Sequence, residues 1–303
     1  MKFGFVSLIG RPNAGKSTLL NRLVGTKLAI VSDKPQTTRA RILGVRNYDD
    51  AQVVFLDTPG IHRPLHRMNV RMVDAAVDTI REVDLLGLVV DVAEPPGKGD
   101  AFVIDLVRTA KTPVILILNK IDVIRKSKLL PIIDRYRVAA EFAEIVPVSA
   151  ATGDNVDRLE RAIVDRLPEG KPLYPPDYLT DQPERFFAAE IVREKLLQFM
   201  RAEIPFSSAV VIDRFEEPAG DAEGGRSPGQ LLKLYCSILV DRESQKPIVV
   251  GRGGEMIKRI GTAAREDLER FFGTRIYLDL QVRVRSEWRE DDRLLQQIGL
   301  GPK

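Results

Sequence analysis

The chain has 303 residues, of which 44% are hydrophobic, so it is long enough for about two domains with buried cores. Its 46 basic and 43 acidic side chains give a net charge of only +3, so any nucleic-acid surface must be local. The single cysteine, Cys236, excludes an intramolecular disulfide and a cysteine metal cluster, and it favours a reducing compartment, the cytoplasm. No apolar run approaches the roughly 18 to 20 residues needed to cross a bilayer, so we expect no transmembrane segment.

Short apolar runs alternate with helix-length segments through the first half of the chain. The strand candidates are FGFVSLIG, QVVFLDTPG, LLGLVVDVA, PVILILNK and EIVPVSA, and helix candidates include Ser17–Val24, Met68–Val83 and Phe102–Thr109. Strands that alternate with helices predict an α/β domain with a mixed, mostly parallel sheet and flanking helices. Because ligands bind at the carboxyl ends of such strands, the polar residues that follow them are candidate site residues.

The alternation stops near Leu167, where the stretch PEGKPLYPPDYLTDQP holds five prolines in sixteen residues, which is typical of a stiff linker. We predict a nucleotide-binding domain over 1–170, a linker over 171–183 and a second domain over 184–303. The predicted elements of that domain are helices over Glu184–Met200 and Glu255–Phe272, strands over Ser208–Phe215, Leu231–Asp241 and RIYLDLQVRVRS, a short apolar segment at Pro247–Val250 and a short final helix.

A phosphate-binding loop follows the first predicted strand and opens a helix. Residues 10–17, GRPNAGKS, match GxxxxGK[ST], so backbone N–H groups can close around phosphates. Lys16 supplies a positive charge to the β- and γ-phosphates, and the Ser17 hydroxyl is a ligand for Mg²⁺. The predicted nucleotide-binding residues of this segment are Gly10, Arg11, Pro12, Asn13, Ala14, Gly15, Lys16, Ser17 and Thr18.

Two further segments predict the metal site and the hydrolysis site. Asp57 begins the sequence DTPG at a strand end, where its carboxylate can hold Mg²⁺ through water and the Gly60 N–H can meet the γ-phosphate. The segment PQTTR, between the phosphate loop and DTPG, offers a threonine hydroxyl to Mg²⁺ only when the γ-phosphate is present. We favour Thr38 over Thr37. The predicted metal ligands are Ser17, Thr38 and Asp57, and the predicted catalytic residues are Lys16, Thr38 and Gly60.

The sequence NKID, at the end of a later strand, predicts the base. Asp122 can accept both N1–H and N2–H of guanine, whereas adenine would leave this carboxylate unpaired. Asn119 is expected at the N7/O6 side, and the stem of Lys120 is expected to cover the ring. The loop after the last strand would close the pocket with a backbone N–H near O6; its residues are Ser149, Ala150 and Ala151.

These motifs together resemble the Era/MnmE/Der group of translation-factor-class GTPases. The resemblance implies a P-loop NTPase fold, GTP or GDP as ligand and Mg²⁺ as cofactor. It also implies slow intrinsic hydrolysis, because Ile61 stands where Ras-like enzymes carry a water-orienting glutamine. In relatives the asparagine that matches Asn13 helps to coordinate K⁺, which is therefore a further candidate cofactor. We interpret His62 and His66 as exposed residues of the switch region rather than as catalytic bases.

The second half carries GRGG, a GxxG at Gly251–Gly254, directly before a helix. Bare glycines let a nucleic-acid backbone approach, cations can pair with phosphates, and Ile257 can form a groove wall or belong to the core. A GxxG can also be a capping turn, but the α-β-β-α-α-β order of the predicted elements indicates an α+β domain of the KH type. The predicted RNA-binding residues are Gly251, Arg252, Gly253, Gly254, Ile257, Lys258 and Arg259.

A GTPase domain, a short linker and a KH domain with V-x-GxxG-x-x-I-K-x-I-G resemble the Era family of ribosome-associated GTPases over nearly the whole chain. The resemblance implies binding to small-subunit ribosomal RNA near its 3′ end and a role in 30S subunit assembly. It also implies peripheral association with the inner face of the cell membrane, and we expect a monomer. The alternative is a GTPase switch whose C-terminal domain binds a protein or tRNA. A non-enzymatic KH scaffold is disfavoured by the intact catalytic ligands. The loop at 216–230 has no assigned role.

Overall fold

The computed structural model describes residues 1–34, 36–60, 67–95, 97–218 and 229–300. The chain divides into two compact units, Met1–Asp181 and Gln182–Lys303. Ile61, His62 and His66 lie outside the described residues, as does most of the loop at 216–230, so the interpretations given to them stay predictions. Within the described residues, no helix is both long and apolar enough to cross a membrane.

The first unit is an α/β structure. Its strands are β1 (Lys2–Ile9), β2 (Ile42–Asn47), β3 (Ala51–Asp57), β4 (Leu85–Asp91), β5 (Val114–Asn119) and β6 (Glu144–Pro147). Its helices are α1 (Lys16–Val24), α2 (Arg67–Arg81), α3 (Lys98–Thr109), α4 (Leu129–Ala139) and α5 (Val156–Arg166). The strands form one sheet in the order β2-β3-β1-β4-β5-β6, in which β2 runs antiparallel to β3 and the other pairs are parallel. This is the mixed, mostly parallel sheet that the sequence predicts.

The sheet order places the polar strand ends side by side. Strands β3, β4 and β5 are buried along their whole length, as expected for strands with both faces covered. Because β1 lies between β3 and β4, the phosphate loop at its carboxyl end has Asp57 on one side and Asp91 on the other. Asn119 ends β5, one strand further along. The fold therefore brings the predicted nucleotide motifs to one edge of the sheet.

The proline-rich segment after α5 is bound to the antiparallel edge of the sheet. Gln52 Oε1 accepts the N–H groups of Leu173 and Tyr174 at 2.9 and 3.0 Å, and the Val45 N–H donates to the Leu179 carbonyl oxygen at 2.8 Å. These contacts lie within the first unit, which extends to Asp181. The predicted linker over 171–183 is thus held against β2 and β3 over part of its length, and its exact bounds stay a prediction.

The second unit is a three-stranded sheet with helices packed on it. Its strands are β7 (Ser208–Glu216), β8 (Leu231–Val240) and β9 (Arg275–Val284), and its helices are α6 (Glu184–Phe199), α7 (Ile204–Ser207), α8 (Lys246–Val250), α9 (Glu255–Phe272) and α10 (Asp292–Gln297). Strand β8 lies in the centre, antiparallel to β7 and parallel to β9. A buried core joins α6, β8 and α9 through residues such as Ile191, Leu234 and Ile260. The predicted apolar segment before the GxxG, Pro247–Val250, lies within helix α8.

Candidate functional site

The phosphate loop joins β1 to α1 and curls around the amine of Lys16. A Cβ on Gly10 would lie 2.3 Å from the Val89 carbonyl oxygen, and a Cβ on Gly15 would lie 2.2 Å from Asn119 Nδ2, so both positions require glycine. Lys16 Nζ donates to the carbonyl oxygens of Gly10 and Arg11 at 3.2 and 3.0 Å. The ammonium group is therefore buried and held at the centre of the loop, as a group that neutralises phosphate should be.

Burial shifts the ionisation of the two charged groups at this centre. Burial lowers the pKa of Lys16, and the charge of Asp57 acts in the opposite direction. Burial raises the pKa of Asp57, whereas the charge of Lys16 and the hydrogen bonds from the Ser17 and Thr38 hydroxyls lower it. Asp57 Oδ1 is buried and has no hydrogen-bond partner among the described residues. A buried carboxylate with one unsatisfied oxygen is costly, so this oxygen is suited to a bound cation or its water.

Three side-chain oxygens converge beside Lys16. Ser17 Oγ lies 2.7 Å from Thr38 Oγ1 and donates to Asp57 Oδ2 at 2.7 Å. The Thr38 hydroxyl donates to the same carboxylate oxygen at 3.1 Å. Thr37 Oγ1 instead donates to the Lys34 carbonyl oxygen at 2.6 Å. Two hydroxyls and one carboxylate form a hard oxygen set that fits Mg²⁺. This set contains Thr38 and not Thr37, and the assignment of Thr38 as the metal ligand stays a prediction.

A cavity of about 650 Å³ opens in front of these oxygens. Its lining includes Arg11, Pro12, Asn13, Gly15, Lys16, Ser17, Thr18, Thr38, Gly60, Asp91 and Lys120. Gly60 packs against the phosphate loop so closely that a Cβ would lie 2.9 Å from Pro12 Cγ. Asn13 Nδ2 donates to the Asp33 carbonyl oxygen at 2.6 Å. The Arg11 guanidinium is tied to Asp100 of α3 at 3.0 Å.

The predicted base residues lie at the ends of β5 and β6. Asn119 Nδ2 donates to the Ala14 carbonyl oxygen and Asn119 Oδ1 accepts the Ala150 N–H, both at 2.9 Å. Asn119 therefore ties the phosphate loop to the segment Ser149–Ala151, and its expected contact with N7 stays a prediction. Asp122 is exposed at the start of a 3₁₀ turn, Ile121–Val123.

Sequence reasoning missed Asp91 at the end of β4. Its Oδ2 binds Lys120 Nζ at 2.6 Å, and its Oδ1 accepts the Ala93 N–H at 2.9 Å. The carboxylate thus anchors the end of the lysine side chain whose stem is expected to cover the base. The rule that polar residues at the carboxyl ends of parallel strands are site candidates would have found Asp91, had it been applied to LLGLVVD.

The GxxG of the second unit lies between α8 and α9 and has left-handed backbone at three glycines. Gly251, Gly253 and Gly254 have φ of 76°, 59° and 82°. A Cβ on Gly251 would lie 2.6 Å from Met256 Cβ, whereas a Cβ on Gly253 or Gly254 would have no heavy atom of the described residues within 4 Å. The open side of the turn can therefore admit a nucleic-acid backbone.

A groove of about 320 Å³ runs from the first turns of α9 to β9. It is lined by Ile257, Lys258, Gly261, Thr262, Arg265, Leu278 and Leu280. Arg259 is not among these residues, because two helical positions separate it from Ile257 and turn it to another side of α9. Its guanidinium lies 4.3 Å from the centre of the Phe199 ring. Thr262, Arg265, Leu278 and Leu280 were not predicted, although the helical spacing from Lys258 could have indicated Thr262 and Arg265.

Comparisons with known proteins cover both halves of the chain. A family model described as a 50S ribosome-binding GTPase matches residues 5–120, and a KH domain model matches residues 233–289. GTPase Era of Geobacter metallireducens is 48% identical over 296 residues, which are 98% of this chain and 97% of that protein. GTPase Era of Syntrophus aciditrophicus is 49% identical over 298 residues, which are 98% and 95% of the two chains.

Two solved structures are similar over the full length of both chains. One is Aquifex aeolicus Era, as a point variant bound to GDP and AlF4⁻, with 42% identity, 100% coverage of each chain and a TM-score of 0.92. The other is Era in complex with MgGDPNP and nucleotides 1506–1542 of 16S ribosomal RNA, with the same identity, coverage and TM-score. The predicted fold class, a P-loop GTPase followed by a KH-type domain, is confirmed.

Proposed function

The chain belongs to the Era family of GTPases, and from that premise we propose that it binds small-subunit ribosomal RNA near its 3′ end and acts in 30S subunit assembly. Its enzymatic activity is that of the family: it binds guanine nucleotides with Mg²⁺ and hydrolyses GTP. The observation that carries the nucleotide assignment is the convergence of Ser17, Thr38 and Asp57 oxygens beside the buried Lys16.

The residues at the phosphate end have distinct roles in this proposal. Lys16 exchanges its two carbonyl partners for oxygens of the β- and γ-phosphates. The negative charge of these oxygens favours the protonated ammonium group and so opposes the lowering of its pKa by burial. The Gly60 N–H donates to the γ-phosphate, and the backbone N–H groups of residues 13–18 surround the other phosphates. The Thr38 hydroxyl, which lies 2.7 Å from Ser17 Oγ, completes the Mg²⁺ shell only while the γ-phosphate is present, so this contact reports which nucleotide is bound.

Two cations are assigned to this end. Ser17, Thr38 and Asp57 hold Mg²⁺, which supplies charge neutralisation at the β- and γ-phosphates when bound. The amide oxygen of Asn13 contributes to a K⁺ site, as the family resemblance implies. We therefore expect the rate of GTP hydrolysis to be higher in KCl than in NaCl and Asn13→Ala to remove this difference. Equal rates in the two salts for the unaltered protein would argue against the K⁺ site.

At the base end, Asp122 accepts the N1–H and N2–H of guanine, and a backbone N–H of the loop Ser149–Ala151 donates to O6. Lys120 covers one face of the ring while Asp91 holds its ammonium group. The test is displacement of a bound fluorescent guanine nucleotide by GTP, GDP and ATP. We expect the two guanine nucleotides to compete and ATP to fail. ATP competition at the same concentration as GTP would refute the guanine site.

In the second unit we assign RNA binding to the GxxG turn and the groove beside it. The open glycines Gly253 and Gly254 admit the sugar-phosphate backbone, Arg252 and Lys258 pair with phosphates, and Ile257 packs against a base. The RNA identity is supported by the relative that was crystallised with nucleotides 1506–1542 of 16S ribosomal RNA, because that relative matches this chain along its whole length.

An RNA competition experiment tests this assignment and its alternative. A labelled fragment of the 3′ end of 16S ribosomal RNA is titrated with the protein at several salt concentrations. A shuffled RNA of equal length and tRNA serve as competitors. We expect the 3′ fragment to bind more tightly than either competitor and the affinity to fall as salt rises. Preference for tRNA, or binding to a protein partner with no RNA affinity, would favour the alternative GTPase switch.

The family resemblance also suggests a cellular location and an oligomeric state. We propose a cytoplasmic monomer with peripheral association at the inner face of the cell membrane, as the family resemblance implies. The buried, unpaired thiol of Cys236 is compatible with a reducing compartment. Sedimentation equilibrium tests the monomer, and fractionation of cells before and after a salt wash tests whether membrane association is peripheral.

A further inference from the structure

Arg22 links the helix of the phosphate loop to the loop of the base pocket. It lies in the last turn of α1, whose first residues are Lys16 and Ser17. Arg22 Nε donates to the Ala150 carbonyl oxygen at 3.1 Å, and Arg22 Nη2 donates to the Ala151 carbonyl oxygen at 2.6 Å. A single planar side chain thus binds two consecutive carbonyl groups, a geometry that restricts both the position and the orientation of the loop.

The loop is closed around this guanidinium. Gly153 has a left-handed backbone, with φ of 91°, and a Cβ there would lie 3.0 Å from Arg22 Nη1. The Gly153 N–H donates to the Ser149 carbonyl oxygen at 2.8 Å, which completes a tight turn. On the other side of the loop, Asn119 Oδ1 accepts the Ala150 N–H at 2.9 Å. The loop is therefore held by an amide on its N–H side and by an arginine on its carbonyl side.

We propose that Arg22 is a positioning residue for recognition of guanine, which holds the backbone N–H that meets O6. This inference rests on the proposed nucleotide site and adds a residue that the five motifs do not include. The two carbonyl groups that accept from Arg22 fix the peptide planes that carry the N–H groups of Ala151 and Thr152. The Thr152 N–H donates to Ser149 Oγ at 3.1 Å, which leaves the Ala151 N–H as the donor for O6. Loss of the guanidinium would let these planes rotate, so the contact with O6 would weaken while the phosphate contacts remain.

Arg22→Ala and Arg22→Lys are the test variants, and Arg161→Ala is the matched control. Arg161 is an exposed arginine in another helix of the first unit, α5, where it pairs with Asp157 at 3.0 Å. We expect Arg22→Ala to speed GDP dissociation about tenfold, because the loop loses two charge-assisted hydrogen bonds and its contact with O6 weakens. Arg22→Lys keeps the positive charge but cannot bind both carbonyl groups with a planar guanidinium, and it should speed dissociation by about threefold. Arg161→Ala should leave the rate unchanged.

Nucleotide analogues separate positioning from a general loss of structure. 6-Thioguanosine diphosphate keeps both N–H groups that face Asp122 but replaces O6 with sulfur, a weaker acceptor. Inosine diphosphate keeps O6 and lacks the 2-amino group. We expect the effect of Arg22→Ala to persist with inosine diphosphate and to shrink to less than about threefold with the thio analogue.

The outcomes distinguish this inference from the function on which it rests. Equal weakening of all three diphosphates by Arg22→Ala would assign Arg22 a purely structural role and overturn the inference. An unchanged dissociation rate for every nucleotide would also overturn it, while a guanine preference of the unaltered protein would keep the proposed site. If the unaltered protein bound adenine nucleotides as tightly as guanine nucleotides, the site itself would be refuted.

Discussion

The nucleotide site of the first unit and the GxxG turn of the second use glycine for different reasons. In the phosphate loop, a Cβ on Gly10 or Gly15 would collide with the protein itself, at 2.3 and 2.2 Å. In the GxxG turn, a Cβ on Gly253 or Gly254 would meet no atom of the described part of the chain, so only the positive φ of these residues favours glycine within the fold. The first site is thus built by the fold, whereas the second is a turn that leaves room for RNA.

The charges of the two sites differ in the same way. Lys16 and Asp57 are buried. Burial lowers the pKa of Lys16 and raises the pKa of Asp57, so it favours the neutral form of each group. Arg252 and Lys258 are exposed, so water already solvates them before RNA arrives. Buried charges give large, specific losses when one partner is removed, whereas exposed charges give modest, salt-dependent ones. Substitution of the buried Lys16 should therefore have a larger effect than substitution of the exposed Arg252 or Lys258.

Lys16→Ala should cause the largest loss. It removes the ammonium group at the centre of the phosphate loop and leaves the buried Asp57 without the positive charge that opposes the rise in its pKa. We expect the Kd for GTP to rise at least about 100-fold, because a charge-assisted bond to phosphate contributes about 3 kcal/mol. Fluorescence titration with a labelled guanine nucleotide measures this, and circular dichroism checks that the variant is folded. Retained affinity in a folded variant would contradict the phosphate-loop assignment.

Asp122→Asn should change the base preference. The amide can donate to O2 of xanthine but cannot accept both N–H groups of guanine. We expect GDP to bind about 30-fold more weakly and xanthosine diphosphate to bind more tightly than to the unaltered protein. Asp134→Asn, at an exposed carboxylate of α4, is the control and should leave both affinities unchanged. Equal loss of both nucleotides would indicate a disturbed fold rather than a changed base contact.

Gly254→Asp should weaken RNA binding by about tenfold. The added carboxylate enters the open side of the turn and repels the phosphates, and the φ of 82° is unfavourable for aspartate. Gly273→Asp is a matched control, because Gly273 also has positive φ, 64°, and a Cβ there would have no neighbour within 4 Å in the described part of the chain. Filter binding with the 16S fragment measures both variants.

The control variant separates strain from RNA contact. Both aspartate substitutions should lower the melting temperature by a similar amount, since both place a side chain at a left-handed position at an end of α9. Only Gly254→Asp should weaken RNA binding. If Gly273→Asp weakened RNA binding equally, the effect would be one of stability, and the GxxG assignment would lose its support.

Much of the fold could be predicted from local signals in the sequence. Helix α9 was predicted at its observed bounds, because Gly254 and Gly273 mark its two ends with left-handed backbone. Strand β2 was not predicted, because ILGVRN is a short edge strand with few apolar residues at its end. Its pairing with β3 depends on the rest of the sheet, which a local pattern does not contain.

The site was predictable where a motif fixes a role and not where the role depends on contacts through space. The phosphate loop, Asp57 and Asp122 could be assigned from spacing and strand ends alone. Asp91 and Arg22 were missed because each acts on a residue far away in the sequence, Lys120 and the loop after β6. These contacts exist only once the strands and helices are packed.

Substitution of Thr38 should have the smallest effect of these variants, and the adjacent Thr37 provides the matched control. Thr38→Ala removes a hydroxyl that lies 2.7 Å from Ser17 Oγ, whereas Thr37→Ala removes a bond to the Lys34 carbonyl oxygen. We expect Thr38→Ala to weaken a non-hydrolysable GTP analogue about fivefold in Mg²⁺ and to leave GDP affinity unchanged, since this hydroxyl acts only when the γ-phosphate is present. Thr37→Ala should change neither affinity. The reverse pattern, measured by titration with and without Mg²⁺, would assign the metal ligand to Thr37.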